Sequence, residues 1–212
     1  MLKPETPHRT TYRHGDLPHA LLEAGLALAR DGGPDAVVLR EATRRAGVAP
    51  NAAYRHFADR QALLQSVCAA AQAALADAIE DELAALPPTR PAAKRARARL
   101  RAVGAGYLRF AQAEPGLFRT AFSVSDDLDS STDPARAGRG GRTPFQLLAD
   151  ALDELVDAGV LLAARRPGAE FLAWSSVHGL GMLLIDGPLR ALTREQRAAI
   201  TSRLLEMVEQ GL

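Results

Sequence analysis

The sequence contains one cysteine, few aromatic residues and almost no excess of charge. The one cysteine, Cys68, excludes a disulfide framework or a cysteine-rich metal site within a single chain. The formal net charge is +1, so attraction to nucleic acid has to come from the local placement of basic side chains. No stretch approaches the roughly 18 consecutive apolar residues of a membrane span, and no apolar leader opens the chain. These absences predict a cytoplasmic protein without a membrane partner.

The apolar residues that are present recur at helical spacing. They make up 47% of the 212 residues, enough for the core of one domain or of two small ones. Residues at i, i+3, i+4 and i+7 form one face of a helix, and this spacing recurs along the chain, whereas nothing resembles strand alternation. The sequence therefore predicts an all-α protein of about nine helices.

The stretch from Leu39 to Phe57 contains two short helical segments separated by a glycine. The first has one apolar face and stops at Gly47, because glycine reaches positive φ without a Cβ clash. Pro50 can occupy the first turn of a second helix, predicted to run to His56. Two short helices joined in this way indicate a helix-turn-helix. An ordinary αα-corner is the alternative, since short motifs often match by chance.

The composition of the second helix and its flank favours contact with DNA. Its leading residues are small or polar, which lets that end approach a major groove closely. Tyr54 and His56 follow and can donate hydrogen bonds to phosphate. Arg60 opens the next helix, with Asp59 as a predicted N-cap, so its charge would add to the exposed N–H groups there.

The segment from Tyr12 to Leu64 resembles the DNA-binding domain of the tetracycline-repressor-like (TetR) family of bacterial regulators, and its specific part is AGV…Y.HF..R..LL. The resemblance implies an N-terminal three-helix helix-turn-helix domain and a C-terminal helical domain that binds a ligand and dimerises. It predicts residues 1–60 and 61–212 for the two domains, with the helix-turn-helix at about 38–57. Val38 and Ala49 depart from the family pattern, in which a Ser or Thr often caps each of the two helices.

Carried over by motif position, the resemblance also implies the residues that contact double-stranded DNA. Arg40, Pro50 and Asn51 are the candidates for base contact. Tyr54, His56 and Arg60 are the candidates for phosphate contact. The basic residues within 1–15 can form a further DNA-contacting arm, although a solvated terminus is the simpler interpretation.

Three features beyond this segment carry structural predictions. One apolar stripe from Ala62 to about Leu86 predicts a helix of ~37 Å that leaves the small domain. Acidic residues near its end and a basic run over 94–101 predict two patches that compensate each other across Pro87 and Pro88, rather than a second nucleic-acid site. Residues 123–142, rich in Ser, Asp and Gly, predict a mobile loop.

The second half of the chain supplies large apolar side chains with few charges among them. Such a composition favours a pocket for a neutral or weakly polar small molecule, with a filled core as the alternative. His178 is the predicted polar contact, and Trp174, His178 and Gly179 resemble the W…HG signature of one TetR subgroup. The predicted ligand-binding residues are Tyr107, Phe110, Phe118, Phe122, Leu148, Leu152, Trp174 and His178.

Enzymatic and metal-dependent functions have little support in the sequence. Ser175 and His178 can meet on one helix face, but no carboxylate or oxyanion loop accompanies them. No histidine pairs at i, i+4 with another ligand type, and phosphate-binding and dinucleotide motifs are absent. We predict no cofactor and no metal.

The expected function is a homodimeric repressor released from a palindromic operator by a small apolar effector. The alternatives are a regulator controlled by a protein partner and an enzyme that uses the fold as a scaffold.

Overall fold

The computed structural model describes residues 17–88, 90–124 and 128–212, and these residues form helices and turns without any strand. The predicted all-α class is therefore confirmed, and the predicted number of helices also agrees. The nine α-helices of the described residues are α1 Leu17–Gly32, α2 Leu39–Ala46, α3 Pro50–Ala53, α4 Arg60–Ala84, α5 Ala92–Ala113, α6 Pro115–Ala121, α7 Pro144–Asp157, α8 Ala169–Ile185 and α9 Arg194–Gly211. The predicted basic arm over 1–15 lies outside the described residues.

Helices α1, α2 and α3 pack together as the predicted helix-turn-helix unit. Gly47 ends α2 with a φ of 67°, and the buried side chains of Leu39, Ala53 and Phe57 join α2 and α3 to the core. The prediction for α3 was too long, because its helix ends at Ala53 and the next three residues form a turn. Helix α3 is therefore a single turn that depends on its neighbours for order.

Helix α4 is the central element of the fold. Asp59 caps it as predicted, accepting a hydrogen bond from the backbone N–H of Ala62. Its predicted stripe is buried, but Leu63 and Val67 on another face are buried too, against α1. The sequence missed this second buried face, because α4 lies between the helix-turn-helix unit on one side and α5 and α6 on the other. The predicted domain boundary at residue 60 thus falls at the start of a helix that serves both parts.

Cys68 lies in the contact between α4 and α6. Its side chain is buried, and its thiol donates to the carbonyl of Thr120. Nearby, Gln72 Nε2 donates to the carbonyl of Ala121 over 2.7 Å, so two α4 side chains hold the last turn of α6.

Helix α4 also has the length and composition of a membrane span, alone among the helices of the described ranges. Its apolar side chains are, however, the core of the protein, with Leu63, Leu75 and Ile79 almost completely buried. A core helix satisfies the same criteria of length and hydropathy, so α4 gives no indication of membrane insertion.

The remaining helices surround α5 to form the larger, C-terminal part. Helices α4, α7, α8 and α9 all pack against α5. Helix α9 begins with a capping box of Thr193 and Gln196, and α7 begins with a second one, formed by Thr143 and Gln146. In each box the threonine hydroxyl accepts from the N3 backbone and the glutamine side chain accepts from the cap residue.

The predicted compensation between the acidic and basic runs is wrong. Arg97 and Arg101 pair with Glu209 of α9 at 3.1 and 3.2 Å, and Arg99 pairs with Glu154 of α7 at 2.8 Å. These arginines face the helices that flank α5 because their neighbours Ala96 and Leu100 occupy the buried side of that helix.

Three acidic residues of α4, Asp77, Glu80 and Asp81, instead bind the segment from 128 to 142, while Glu82 pairs with Arg109 of α5 at 3.1 Å. Arg139 pairs with Asp77 and Asp81, its backbone N–H donates to Asp77 Oδ1 at 2.7 Å, and the N–H of Gly140 donates to Glu80. The prediction of a mobile loop is therefore corrected for residues 128–142, which contain two short 3₁₀ turns and are tied to α4. Composition could not anticipate this, since the segment is held by charge and backbone groups rather than by apolar side chains.

Candidate functional site

The first candidate site is the exposed surface of the helix-turn-helix. All six predicted DNA-contacting residues are exposed to solvent and lie on α2, on α3 and its following turn, or at the start of α4. They are Arg40, Pro50, Asn51, Tyr54, His56 and Arg60. Their contact with DNA remains a prediction. Such contact requires side chains that DNA can reach, and all six are accessible.

Arg60 has a structural role that the sequence did not indicate. Its Nε donates to the carbonyl of Val37 and its Nη2 to the carbonyl of Pro34, both over 2.8 Å. The guanidinium thereby ties the start of α4 to the connection between α1 and α2. Since five N–H groups are available on an arginine, this anchoring leaves donors for the predicted phosphate contact.

Other basic side chains of this surface differ in how they are paired. Arg44 pairs with Glu41, which lowers the pKa of that carboxyl through the side-chain hydrogen bond. Arg45 pairs with Asp31 at 2.9 Å. Arg55 is exposed between Tyr54 and His56 and has no ion pair within the described part of the chain. We therefore add Arg55 to the candidates for phosphate contact. Its position between Tyr54 and His56 in the sequence already favoured this role.

The second candidate site is a cavity of about 480 Å³ among the helices of the C-terminal part. Its wall is mainly apolar and comes from α4, α5, α7, α8, α9, the end of α6 and the segment from 128 to 142. Five of the predicted ligand-binding residues line it: Tyr107, Phe122, Leu148, Trp174 and His178. Their contact with a ligand is a prediction, and the structure brings them together around one space.

The other three predicted ligand residues do not line the cavity, and their assignment is corrected. Phe118 is fully buried behind the wall, with its ring 5.3 Å from that of Tyr107 in an edge-to-face contact and packed near Gly181 of α8. Phe110 and Leu152 are likewise core residues. Apolar character marked these positions correctly as interior, but the helical pattern does not separate a core-filling side chain from one that faces a void.

Three polar side chains of the wall are bonded to one another. The indole N–H of Trp174 donates to the hydroxyl of Tyr107 over 3.1 Å, and that hydroxyl lies 2.8 Å from Nδ1 of His178. Burial raises the pKa of the Tyr107 phenol and lowers the pKa of the His178 imidazole, so both groups are favoured in their neutral forms. Ser175 donates instead to the carbonyl of Leu172, so the Ser175–His178 contact considered for catalysis is not formed.

The sequence missed several contributors to the wall. Leu205 and Val208 of α9 close one part of the cavity, and Gln72 of α4 reaches another. Arg136 lines the cavity as well, and its Nη1 lies 3.5 Å from Gln72 Oε1. These residues come from distant parts of the chain, and only the packing of α4, α9 and the 128–142 segment brings them together.

Outside the cavity, α8 and α9 present an exposed apolar face. Leu172 and Met207 are 63% and 57% exposed, and Leu183 on α8 is exposed as well. Between them on α8, a Cβ added to Gly179 would meet no other atom within 4 Å. The exposed stripe of α8 from Leu172 to Leu183 therefore contains a glycine, Gly179, with open space around it. A glycine in this position permits another helix to approach closely.

Two family models match the chain, each over a different segment. Residues 21–67 match the bacterial regulatory proteins of the tetR family, and residues 100–208 match the tetracyclin repressor-like C-terminal domain. No curated protein sequence matches the chain.

Solved structures share the whole fold. A protein of unknown function from Rhodococcus sp. RHA1 is 24% identical with a TM-score of 0.71, and the match covers 96% of this chain and 99% of that one. A protein from Shewanella sp. PV-4 described as a tetR family transcription regulator is 20% identical, with a TM-score of 0.60 and coverages of 92% and 96%. FadR from Bacillus subtilis, in complex with stearoyl-CoA, is 12% identical, with a TM-score of 0.55 and coverages of 92% and 98%.

Both parts of the chain therefore lead to one assignment. The N-terminal match spans the helix-turn-helix, and the C-terminal match spans most of the elements that enclose the cavity, from α5 to α9. The chain belongs to the TetR family of bacterial transcriptional regulators and has the family's DNA-binding domain.

Proposed function

We propose that this regulator is a homodimeric repressor that leaves a palindromic operator when a small apolar molecule fills its cavity. The observation that carries the proposal is the cavity itself, whose wall includes Ile79 and Gln72 of α4. Because α4 also packs against α1, a ligand that contacts α4 can change the position of the DNA-binding unit. FadR, a protein of the same fold, is in complex with stearoyl-CoA, a molecule with a long apolar chain, which is compatible with an apolar effector here.

Two routes connect the cavity with α4. The first is α6, whose last turn contributes Ala121 and Phe122 to the wall and is held to α4 by Gln72. The second is the segment from 128 to 142, which lines the cavity through Leu128 and binds the acidic side of α4 through Arg139. A ligand that prefers one arrangement of these elements changes operator affinity by that preference, typically about 1–3 kcal/mol.

The open cavity also favours a small-molecule effector over control by a protein partner. A collapsed core would leave no space for an effector, whereas a space of about 480 Å³ lies in the usual range for small-molecule sites. The wall is mainly apolar with a few polar groups, which is the usual composition of such a site.

The test uses DNA selected from random duplexes by the native protein, followed by a search among apolar compounds for one that releases it. Leu148→Trp places a large ring in the cavity and should retain the affinity for the selected DNA while losing release by that compound. Leu162→Trp is the matched control, because Leu162 is exposed and does not line the cavity. A compound that binds in the cavity while leaving DNA affinity unchanged would refute the proposal.

Dimerisation is assigned to the exposed apolar face of α8 and α9. A symmetric dimer pairs the same face of two chains, and the selected DNA should then contain two inverted half-sites about 34 Å apart or a multiple of that. Leu172→Glu and Met207→Glu should each give monomers in sedimentation, whereas Leu162→Glu, outside both helices, should remain dimeric. A native protein that sediments as a monomer while binding a palindrome tightly would contradict this part.

A further inference from the structure

The hydrogen bonds among Trp174, Tyr107 and His178 determine which nitrogen of His178 carries its proton. An indole N–H can only donate, so the hydroxyl oxygen of Tyr107 accepts from Trp174. The O–H of Tyr107 is then left to donate, and in the part of the chain that the structure describes its second partner is Nδ1 of His178. Nδ1 therefore accepts, and in a neutral imidazole the proton lies on Nε2.

The opposite arrangement leaves a buried donor unsatisfied. If Nδ1 carried the proton, the oxygen of Tyr107 would accept from both neighbours and its own O–H would have no acceptor among the described residues. Tyr107 is almost completely buried, so water does not readily replace that acceptor. The favoured tautomer is thus fixed by two residues that lie on α5 and α8.

The consequence is an uncharged hydrogen-bond donor at a fixed position in a mainly apolar wall. His178 lines the cavity, and within the described residues its Nε2 has no hydrogen-bond partner. The rings of Phe122 and Phe118 lie 5.0 and 5.5 Å from the imidazole, so its surroundings are aromatic. A donor in such surroundings gains most from an uncharged acceptor, since a bare carboxylate would lose its hydration.

Building on the proposed function, we propose that the effector carries an uncharged oxygen acceptor, such as the carbonyl of a ketone or ester, which receives the Nε2–H of His178. Tyr107 and Trp174 are the positioning residues that keep this proton on Nε2. The three side chains give a chemical role to the Trp174, His178 and Gly179 motif, whose first two members belong to the bonded group while Gly179 lies on the outer face of α8.

The experiment compares probes that share a shape and differ in the acceptor. Benzophenone and diphenylmethane differ by a carbonyl in place of a methylene, and diphenylacetate adds a carboxylate. Acetophenone and isopropylbenzene form a second, smaller pair. Binding of each to the native protein, His178→Phe and Tyr107→Phe is measured by calorimetry, and thermal unfolding establishes that each variant is folded.

The native protein should bind the ketone of each pair about tenfold more tightly than the hydrocarbon, the size expected for one buried hydrogen bond. His178→Phe should remove this preference while retaining the affinity for the hydrocarbon. Tyr107→Phe should reduce it, since the imidazole proton is then free to occupy either nitrogen. Nitrogen-15 spectra should also show the Nε2-protonated form of His178 in the native protein and a mixture of tautomers in Tyr107→Phe.

The outcomes separate this inference from the proposed function. Equal binding of ketone and hydrocarbon, or a preference that survives His178→Phe, would overturn the inference and leave an apolar effector site intact. Tightest binding of diphenylacetate would overturn it in favour of an anion held by Arg136, which also lines the cavity. Binding of none of the five probes would overturn both.

Discussion

The two short helices of the DNA-binding unit and two helices beside the cavity begin in different ways. Val38 precedes α2 and Ala49 precedes α3, and neither side chain caps the helix that follows. Helices α7 and α9 begin instead with complete capping boxes at Thr143 and Thr193. Uncapped helix starts leave backbone N–H groups to solvent or to a partner, whereas a capping box satisfies them within the chain.

This difference indicates which interactions hold the helices of each region in place. The short helices α2 and α3 are held by packing and by Arg60, which bonds to the carbonyls of Val37 and Pro34. Helices α7 and α9 face the cavity with part of their surface, and capping side chains hold their first turns. Four predictions test this comparison, from the largest expected effect to the smallest.

The largest effect is expected at the contact that joins the two regions. A Cβ at Gly116 in α6 would lie 2.3 Å from the carbonyl oxygen of Ala29 and 2.5 Å from that of Arg30, both in the backbone of α1. Gly116→Ala should therefore force α6 away from α1 and lower the free energy of unfolding by about 3 kcal/mol. Urea unfolding of Gly116→Ala and of the native protein measures this loss of unfolding free energy. Gly211→Ala, at a position where an added Cβ has open space, serves as the control, and equal stability of both variants would disprove the close contact.

The next effect concerns the capping box of α7. The hydroxyl of Thr143 accepts from the Gln146 N–H and donates to the carbonyl of Ser131 over 2.7 Å, while the residue is almost fully buried. Thr143→Ala should lower the free energy of unfolding by about 1.5 kcal/mol. Thr193→Ala removes the exposed box of α9 and should cost less. A larger loss at Thr193 would contradict the importance given to burial.

Arg60→Ala comes third and separates two roles of one residue. Loss of the bonds to Val37 and Pro34 should cost about 1 kcal/mol of unfolding free energy, a value reduced for the partial exposure of the guanidinium. If Arg60 also contacts phosphate, binding should weaken on all DNA sequences alike and depend less on salt. Arg55→Ala is the matched variant, expected to change the salt dependence without changing stability. A changed sequence preference with an unchanged salt slope would contradict the phosphate role of Arg60.

The smallest effect is a gain. Ala49→Ser supplies the missing cap of α3 and should raise the free energy of unfolding by about 0.5 kcal/mol. Val38→Thr does the same for α2. Differential scanning calorimetry of the two variants and the native protein measures the change. A loss of stability in both would mean that packing excludes a cap at these sites.

Sequence reasoning was most successful where local chemistry determines the structure. Gly47 ends α2 and Asp59 caps α4 as predicted, because a glycine at positive φ or a capping side chain acts within a few residues. The resemblance to the TetR family supplied the arrangement of the domains, which local signals alone leave open.

It was least successful where distant parts of the chain meet. The partners of Arg97, Arg99 and Arg101 lie on α9 and α7, more than fifty residues away, and the anchoring of Arg139 to α4 spans a similar distance. The same limit affected the cavity, where Phe118 fills the core while Leu205 lines the space. An apolar pattern assigns residues to the interior but not to a position within it.

The buried thiol of Cys68 can report on one internal motion, the separation of α4 from α6. It is the chain's one cysteine, and it lies against the carbonyl of Thr120 where α4 meets α6. A reagent in solution reaches the sulfur only while these helices are apart, so the labelling rate measures how often they separate. Without any added probe, that rate compares the native protein alone, with DNA and with a cavity ligand.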